Sequence, residues 1–166
     1  MRIISGKNKG RKLLLPSDKI TRPLKDLTKE SIFNIINHSK KFELDIKNSL
    51  VLDLFSGMGS FGLECLSRGA LNVTFIENYK KALIILKKNI TNLDFNNKSQ
   101  IIEKNVFDYF NHNFQQKVYD LIFIDPPYKE KKIKFLIENI FKNKILKKNG
   151  IIIIHRHKNE NDNFVK

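Results

Sequence analysis

The stretch that decides the fold is Val51-Leu-Asp53-Leu-Phe55-Ser-Gly57-Met-Gly59-Ser-Phe-Gly62. Its first part is a short apolar run of the kind that forms a buried strand. Its second part reads G-x-G-x-x-G, and glycines at this spacing allow a tight turn and a close approach of a ligand to the backbone. The motif therefore predicts a strand, a ligand-binding loop and the start of a helix.

Strands and helices alternate from Leu50 onward. The predicted strands are Leu50–Phe55, Asn72–Glu77, Gln100–Asn105, Tyr119–Asp125 and Gly150–His155. The predicted helices are Ser60–Arg68, Tyr79–Leu93, Val106–Phe110 and Lys131–Phe141. Strands that are apolar on both faces and separated by helices indicate a parallel sheet covered on both sides. We therefore expect a doubly wound α/β fold with a mainly parallel sheet, whose ligands bind beyond the carboxyl ends of the strands.

Two acidic residues near the glycine loop narrow the choice of cofactor. Glu77 ends the second predicted strand, where a carboxylate can accept hydrogen bonds from both hydroxyls of a ribose. A dinucleotide would place its pyrophosphate at the start of the helix, and the carboxylate of Asp53 would repel it. The same carboxylate suits an ammonium group, so the arrangement D-x-F-x-G-x-G favours S-adenosylmethionine.

The fourth predicted strand runs directly into Asp125-Pro126-Pro127-Tyr128. Proline lacks a backbone N–H and has a fixed φ, so this turn is rigid and rich in acceptors. The Asp125 carboxylate and a proline carbonyl together offer two acceptors for one exocyclic NH2 group. The ring of Tyr128 can stack on an extruded base. The segment therefore predicts methylation of an amino group on a nucleic-acid base.

Positive charge is concentrated near the N-terminus. The chain has 31 Lys and Arg against 17 acidic residues, a net charge of +14, and residues 1–41 hold eleven basic and three acidic residues, or +8 of that total. Such a concentration is typical of a surface that contacts a nucleic acid. We therefore expect a basic segment 1–41 that faces the nucleic acid and a cofactor-binding domain 42–166.

The basic segment has its own predicted elements. Two short strands, Arg2–Ser5 and Lys12–Leu15, flank a basic turn that is bracketed by glycines. Pro23 suits the first turn of a helix that extends to about Asn37. Its predicted buried stripe consists of Leu24, Leu27, Ile32, Ile35 and Ile36. The basic residues expected to contact phosphates are Arg2, Lys7, Lys9, Arg11 and Lys12.

Several classes of protein are excluded by what the sequence lacks. No apolar run approaches eighteen residues, and the N-terminus has neither an apolar stretch nor a small-residue cleavage site, so we expect a cytoplasmic protein. The single cysteine, Cys65, cannot form an internal disulfide and is expected in the core. His155 and His157 lack an evident third ligand, so no metal site is expected.

The motifs resemble those of a known class of enzymes. Asp53-Leu-Phe-Ser-Gly-Met-Gly59, Glu77 and Asp125-Pro-Pro-Tyr128 resemble class I S-adenosylmethionine-dependent methyltransferases that act on an exocyclic base nitrogen. Arg2-Ile-Ile-Ser-Gly-Lys, Gly10-Arg-Lys-Leu and Thr21-Arg-Pro-Leu-Lys-Asp26 resemble the bacterial small-subunit (16S) ribosomal RNA (guanine-N2)-methyltransferases. The resemblance covers residues 1 to about 155. It implies a Rossmann-like fold, S-adenosylmethionine as cofactor, and action on small-subunit ribosomal RNA or a partly assembled small subunit. We expect the protein to be a monomer.

The resemblance also implies roles for individual residues. It implies a catalytic tetrad formed by Asp125, Pro126, Pro127 and Tyr128. Arg22 and Asp26 are implied near the target nucleotide. The implied cofactor pocket consists of Asp53, Phe55, Ser56, Gly57 and Gly59 on the methionine side, Glu77 at the ribose, and Asn105 and Val106 near the adenine, where the family commonly has Asp-Ala.

The sequence departs from the family at its C-terminal end. The family usually has an acid at the end of the fifth strand, where this chain has His155-Arg156-His157. The chain stops about ten residues later, so the antiparallel hairpin that usually completes such a sheet is expected to be short or missing. Ile151–Ile154 would then form an exposed edge.

Three other hypotheses remain open from sequence. An adenine-N6 DNA methyltransferase would share the chemistry, although 166 residues leave little space for a DNA-specificity region. An RNA-binding or assembly protein with weak or no catalysis could keep the same fold. An NAD-dependent dehydrogenase would explain the glycine motif alone and would leave Asp125-Pro-Pro-Tyr128 without a role.

Overall fold

A computed structural model of the chain describes residues 1–17, 24–41, 43–110 and 117–156. Within these residues a sheet of five parallel strands has the order β3-β2-β1-β4-β5. The strands are β1 (Leu50–Leu54), β2 (Asn72–Glu77), β3 (Ser99–Glu103), β4 (Tyr119–Ile124) and β5 (Leu146–Ile154). The helices are α1 (Asp26–His38), α2 (Ser60–Ser67), α3 (Lys80–Asn92), α4 (Val106–Tyr109) and α5 (Ile133–Lys142), with a 3-10 turn at Asn96–Lys98. The strand order reverses between β1 and β4, which is where ligands bind in such sheets.

Two hydrophobic cores cover the two faces of the sheet. One core joins β-strand residues to α1, α2, α3 and the N-terminal hairpin, which contributes the buried side chains of Ile3 and Leu13. In this core the ring of Phe61 stacks on Phe33 of α1 and on Phe123 of β4, with ring centroids 5.2 and 3.8 Å apart. The other core packs the opposite face against α4 and α5. The predicted doubly wound, Rossmann-like α/β fold is therefore confirmed.

From β1 onward the observed elements begin and end within two residues of the predicted ones, except at the start of β5. This strand begins at Leu146, four residues before the predicted start at Gly150. Leu146 pairs with Tyr119, and the register then shifts so that Leu121 pairs with Ile151. The polar residues between Leu146 and Ile151 lie in this irregularity, which is why the sequence there reads as a loop. Within the described residues, β5 forms one edge of the sheet.

The predicted N-terminal strands are shorter than expected. Only Arg2 and Lys12 form a β-bridge, which is antiparallel. The N–H of Ile3 donates to the carbonyl of Arg11 at 2.9 Å, and the N–H of Gly10 donates to the carbonyl of Ile3 at 2.9 Å, so the hairpin itself is present. The hairpin strands do not extend further because Ile4, Ser5 and Leu14 donate their N–H groups to side chains of α2 and α3.

Backbone contacts hold this hairpin against the end of α2. The N–H of Lys7 donates to the carbonyl of Ser67 at 2.8 Å, and the hydroxyl of Ser67 donates to the carbonyl of Ser5 at 2.6 Å. Gly6 has a φ of +81°, and a Cβ there would lie 1.9 Å from the Ser67 carbonyl oxygen. Only glycine fits this contact. The division into domains 1–41 and 42–166 stays a prediction, but the described hairpin shares its core with the sheet.

The predicted buried stripe of α1 is partly wrong. Leu27 and Ile35, which the periodicity places on that stripe, are 75% and 59% exposed. The buried side chains of the helix are Lys29, Phe33 and Ile36. The helix begins at Asp26, three residues after the predicted start at Pro23, because its N-cap Lys25 has an extended ψ of 145°. Pro23 itself lies outside the described part of the chain.

A buried ion pair explains why α1 turns a lysine inward. The ammonium of Lys29 lies 3.6 Å from a carboxylate oxygen of Glu64 and 3.7 Å from one of Asp26, and it donates to the carbonyl of Arg2 at 2.7 Å. Glu64 also accepts from the guanidinium of Arg68 at 2.8 Å. Burial lowers the pKa of Lys29, and the neighbouring carboxylates oppose that shift. A charged residue is therefore tolerated in the core because its partners are buried with it.

Other expectations concern membranes, cysteine and metals. No helix among the described residues is both long and apolar enough to cross a membrane. Cys65 is buried in the core, as predicted, and this burial raises the pKa of its thiol. The described ranges contain no group of three or more side chains that could hold a metal ion. His157, part of the H-x-H pattern, lies outside those ranges.

Candidate active site

The glycine loop follows β1 at the point where the strand order reverses. Phe55, Gly57 and Gly59 all have positive φ, at 59°, 55° and 86°. A Cβ on Gly59 would lie 2.5 Å from Leu86, whereas a Cβ on Gly57 would meet no atom within 4 Å. Gly59 is therefore required by packing against α3. Gly57 instead borders open space at the carboxyl end of the sheet, where a ligand could approach.

Asp53 lies beneath this loop. Its side chain is buried, and one carboxylate oxygen accepts the N–H of Gly62 in α2 at 3.0 Å. Burial raises the pKa of Asp53 well above its usual range, and the charges of Asp125 and Glu77 raise it further. The structure thus shows Asp53 fixing the start of α2 against β1, while a direct contact with a cofactor stays a prediction.

Glu77 connects the end of β2 to the glycine loop. One carboxylate oxygen accepts the N–H of Gly57 at 2.7 Å, and the other accepts the N–H groups of Asn78 and Tyr79 at 2.9 and 2.8 Å. Ser56 is also tied to β2, because its N–H donates to the carbonyl of Ile76 at 3.1 Å. Glu77 therefore lies where the sequence predicted a ribose-binding acid, and its carboxylate shapes the loop.

The end of β3 supplies the third part of the pocket. The side-chain oxygen of Asn105 accepts the N–H of Phe107 at 2.9 Å and caps α4, and Val106 is buried in the core. Phe107 was not predicted as a site residue from the sequence. The centroid of its ring lies 6.0 Å from that of Phe55 and 6.1 Å from that of Phe135 in α5. These three rings form an aromatic group at the carboxyl end of the sheet. In the sequence, only the aromatic residues that follow Asn105 indicated this group.

The predicted tetrad follows β4 beside the glycine loop. Asp125 and Pro126 are half-buried, Pro127 is exposed, and the Tyr128 side chain is 59% exposed. The carbonyl of Pro127 accepts the N–H of Glu130 at 2.9 Å, which closes a turn. The Tyr128 side chain is therefore largely exposed, and the Asp125 carboxylate contacts His155, which follows β5.

The sequence reading missed two residues that contact this loop. The Nδ1 of His155 lies 2.8 Å from a carboxylate oxygen of Asp125, and the guanidinium of Arg156 donates to the carbonyl of Glu130 at 2.6 Å. The hydrogen bond to Asp125 raises the pKa of His155, although partial burial opposes the shift. Ile124 pairs with Ile154, so the next residues of both strands are necessarily neighbours. Parallel pairing of the last two strands was the signal that could have revealed this contact.

The predicted RNA-facing residues lie away from the core. The basic residues predicted to contact phosphates are all exposed, namely Arg2, Lys7, Lys9, Arg11 and Lys12. The guanidinium of Arg11 donates to the carbonyl of Asn92 at 2.7 Å, which fixes it on α3. Asp26 accepts the N–H of Arg2 at 3.3 Å and pairs with Lys29, so it links the hairpin to α1. Arg22 lies outside the described residues.

Acidic side chains border this end of the sheet, although the chain as a whole is basic. Asp53, Glu77 and Asp125 interact electrostatically at the carboxyl ends of three adjacent strands, in a protein with a net charge of +14. S-adenosylmethionine has a cationic sulfonium and an ammonium group, whereas a pyrophosphate is anionic. The acidic residues and the open space at Gly57 therefore fit the methyl donor and oppose a dinucleotide.

A doubly wound sheet with an acidic pocket at its switch point and Asp-Pro-Pro-Tyr on its border places this chain among the class I S-adenosylmethionine-dependent methyltransferases. The match to the family described as Conserved hypothetical protein 95 extends over residues 1–165, and the chain belongs to that family. Ribosomal RNA small subunit methyltransferase D from Buchnera aphidicola subsp. Baizongia pistaciae is 38% identical over 156 residues, covering 94% of this chain and 76% of the relative. The protein of the same name from Haemophilus influenzae is 34% identical over 161 residues, covering 96% and 80%.

Solved structures agree with this assignment. A "putative methylase" from Haemophilus influenzae has a TM-score of 0.75 and 33% identity, covering 96% of this chain and 83% of its own. A "putative methyltransferase complexed with SAH" has a TM-score of 0.63 and 26% identity, covering 78% of this chain and 35% of its own. The predicted family, methyltransferase class and dependence on S-adenosylmethionine are therefore confirmed, and the roles of individual site residues stay predictions.

Proposed function

We propose that this chain transfers a methyl group from S-adenosylmethionine to the exocyclic N2 amine of a guanine in small-subunit ribosomal RNA. The observation that carries the proposal is the position of Asp125-Pro-Pro-Tyr128, which follows β4 directly beside the glycine loop that follows β1. An amine acceptor and a methyl donor would meet at this point. The relatives named as small-subunit ribosomal RNA methyltransferases support the choice of RNA.

The chain contributes acceptors and a stacking ring to the reaction. Bound S-adenosylmethionine supplies a methyl group to the N2 lone pair, and the new C–N bond forms as the C–S bond breaks with its electron pair kept on sulfur. The Asp125 carboxylate and the Pro126 carbonyl accept the two N–H groups of the amine, which directs its lone pair toward the methyl group. The extra proton left on N2 passes to the Asp125 carboxylate and then to water.

Tyr128 and the basic hairpin bind the RNA. The exposed ring of Tyr128 stacks on the target guanine after it leaves its own stack. The exposed basic side chains of the hairpin contact phosphates, with Arg22 and Asp26 nearer the target nucleotide. We propose that the enzyme acts as a monomer in the cytoplasm on the RNA or on a partly assembled small subunit.

Methyl transfer from labelled S-adenosylmethionine tests this function. The substrates are small-subunit RNA and small subunits that lack their modifications, with duplex DNA as the control, and mass spectrometry identifies the product nucleoside. N2-methylguanosine is expected. N6-methyladenine in DNA would contradict the RNA assignment, and the absence of any product despite cofactor binding would favour a non-catalytic RNA-binding protein.

Replacement of Asp125 tests the assigned chemistry. Asp125→Ala removes the acceptor for the amine and for its proton, so turnover should fall by at least about 100-fold. Binding of S-adenosylhomocysteine, measured by calorimetry, should stay close to that of the wild type. If cofactor binding is lost together with turnover, Asp125 belongs to the cofactor site and the assigned role is wrong.

A further inference from the structure

Two consecutive residues after β5 hold the loop that contains the tetrad at its two ends. His155 lies 2.8 Å from the Asp125 carboxylate through Nδ1, and its own N–H donates to the carbonyl of Ile124 at 2.9 Å. Arg156 donates to the carbonyl of Glu130 at 2.6 Å. Asp125 begins this loop, and Glu130 lies near its other end, three residues before α5 begins at Ile133. The side chain of Asp125 is thus fixed by a partner that comes from a different strand.

We infer that His155 is a positioning residue for methyl transfer, which holds the Asp125 carboxylate toward the target amine through a hydrogen bond donated by Nδ1–H of the neutral imidazole. This inference rests on the proposed function. With Nδ1–H donated to one carboxylate oxygen, the other oxygen is left to accept from the target amine.

The charges around the imidazole decide which protonation state is productive. His155 faces Asp125 from β4, with Asp53 of β1 and Glu77 of β2 beyond it in the same acidic pocket, and Arg156 adjoins it. When the imidazole is protonated, the His155–Asp125 pair has no net charge and the carboxylate is a weaker acceptor. The imidazolium also repels a sulfonium in the pocket. Methyl transfer should therefore be fastest when His155 is neutral.

The pH dependence follows from this argument. The contact with Asp125 raises the pKa of His155 above its ordinary value, so the protonated form persists to a higher pH than it does for a free histidine. The turnover number kcat should increase as the pH rises through this pKa. The effect should appear in kcat more than in the KM for the cofactor, because His155 acts on the acceptor of the amine.

Kinetics of two variants test the role. His155→Asn keeps an N–H donor close to the position of Nδ1 but cannot titrate, so it should retain kcat within about threefold and lose the rise with pH. His155→Ala removes the donor and should lower kcat about tenfold or more with little change in the cofactor KM. His38→Asn, which replaces an exposed histidine of α1, should leave the shape of the pH profile unchanged.

Three kinetic outcomes would contradict the inference. If His155→Ala has the kcat and the pH profile of the wild type, His155 has no part in the reaction. If His155→Asn, shown to be folded by circular dichroism, is as slow as His155→Ala, the donated hydrogen bond is not the contribution. A KM effect without a kcat effect would also oppose a positioning role.

A measurement that does not need activity separates this inference from the proposed function. The pKa of His155 can be followed by NMR in histidine-labelled protein, with His155→Asn used to assign its signal. It should be raised in the wild type and fall toward the ordinary value in Asp125→Asn. An unchanged pKa in Asp125→Asn would overturn the pairing even if methylation is observed. A coupled pKa in a protein that methylates no RNA would instead show that the proposed function fails while the pairing stands.

Discussion

Gly57 and Gly59 are only two residues apart, yet the structure assigns them different physical requirements. A side chain at Gly59 would collide with Leu86, so this glycine is needed for folding. Gly57 has room for a Cβ and needs glycine only for its positive φ, while its N–H donates to Glu77. The sequence motif alone does not distinguish a glycine required by packing from one required by its backbone conformation, because both lie in the same loop.

Gly57→Ala should therefore weaken cofactor binding without preventing folding. The new methyl group enters the space proposed for the ligand, and affinity for S-adenosylhomocysteine should fall about tenfold or more in calorimetry. The strain of a left-handed alanine should cost about 1 kcal/mol of the free energy of unfolding. Gly10→Ala is the matched control, because Gly10 also has positive φ and a Cβ there meets nothing within 4 Å. It should lose similar stability and keep its affinity; equal affinities for both variants would exclude Gly57 from the cofactor pocket.

The His155–Asp125 contact also makes a prediction about stability. The pKa of His155 is higher in the folded state than in the unfolded state. Its contribution to stability is therefore fully present below its unfolded pKa and is lost as the pH rises through its folded pKa. The difference in free energy of unfolding between the wild type and His155→Asn should shrink over this range in urea titrations. A difference that grows with pH would contradict the assigned pairing.

At the scale of elements, periodicity predicted most of the sheet because its strands are apolar on both faces. Periodicity failed where a charged residue is buried in the core and where a polar residue is paired with a residue on another element. Lys29 lies in the core because Glu64 of α2 neutralises it, and Leu27 is exposed as a result. No pattern within α1 reveals a partner 35 residues away. The contact of His155 with Asp125 was missed for the same reason, since it depends on the pairing of β4 with β5.

Lys29→Ala tests the buried ion pair. It leaves the Glu64 carboxylate buried with one fewer cationic partner, so the free energy of unfolding should fall by about 3 kcal/mol or more. Glu64 also accepts the N–H groups of Ile4 and Ser5, so the hairpin should lose protection in hydrogen exchange. Lys134→Ala, which removes an exposed partner of Glu138, should change stability little. Equal effects of both substitutions would show that Lys29 contributes no more than a surface charge.

On the scale of the whole molecule, charge is separated between two regions. The carboxyl ends of the central strands carry the acidic pocket, whereas the hairpin exposes basic side chains. Composition shows the concentration of positive charge in residues 1–41, and its role in RNA binding stays a prediction. It could not predict that the hairpin would be held firmly against α2, because Gly6 and Ser67 are distant in sequence. The hairpin therefore presents its charges from a fixed position.

This arrangement predicts a salt dependence that belongs to the hairpin. Replacing Lys7 and Lys9 with Gln should weaken RNA binding and reduce the slope of log affinity against log salt by about 1 to 2. Replacing Lys98 and Lys142, exposed residues on the 3-10 turn and at the end of α5, changes the net charge equally. These control substitutions should leave the slope nearly unchanged in fluorescence titrations. If both double variants reduce the slope of log affinity against log salt equally, the net charge of the protein, and not the hairpin, determines the salt dependence.

The strand order has a consequence for the newly synthesised chain. β1 pairs with β2 on one side and with β4 on the other, and Val51 meets Leu121 only after a further 70 residues have been made. At roughly 5 to 20 residues per second, one edge of β1 waits for roughly 4 to 14 s before its second neighbour leaves the ribosome. During that interval an apolar strand with unpaired backbone groups is exposed to solvent and to other nascent chains. The central strand of the finished enzyme is thus the most vulnerable strand during its synthesis.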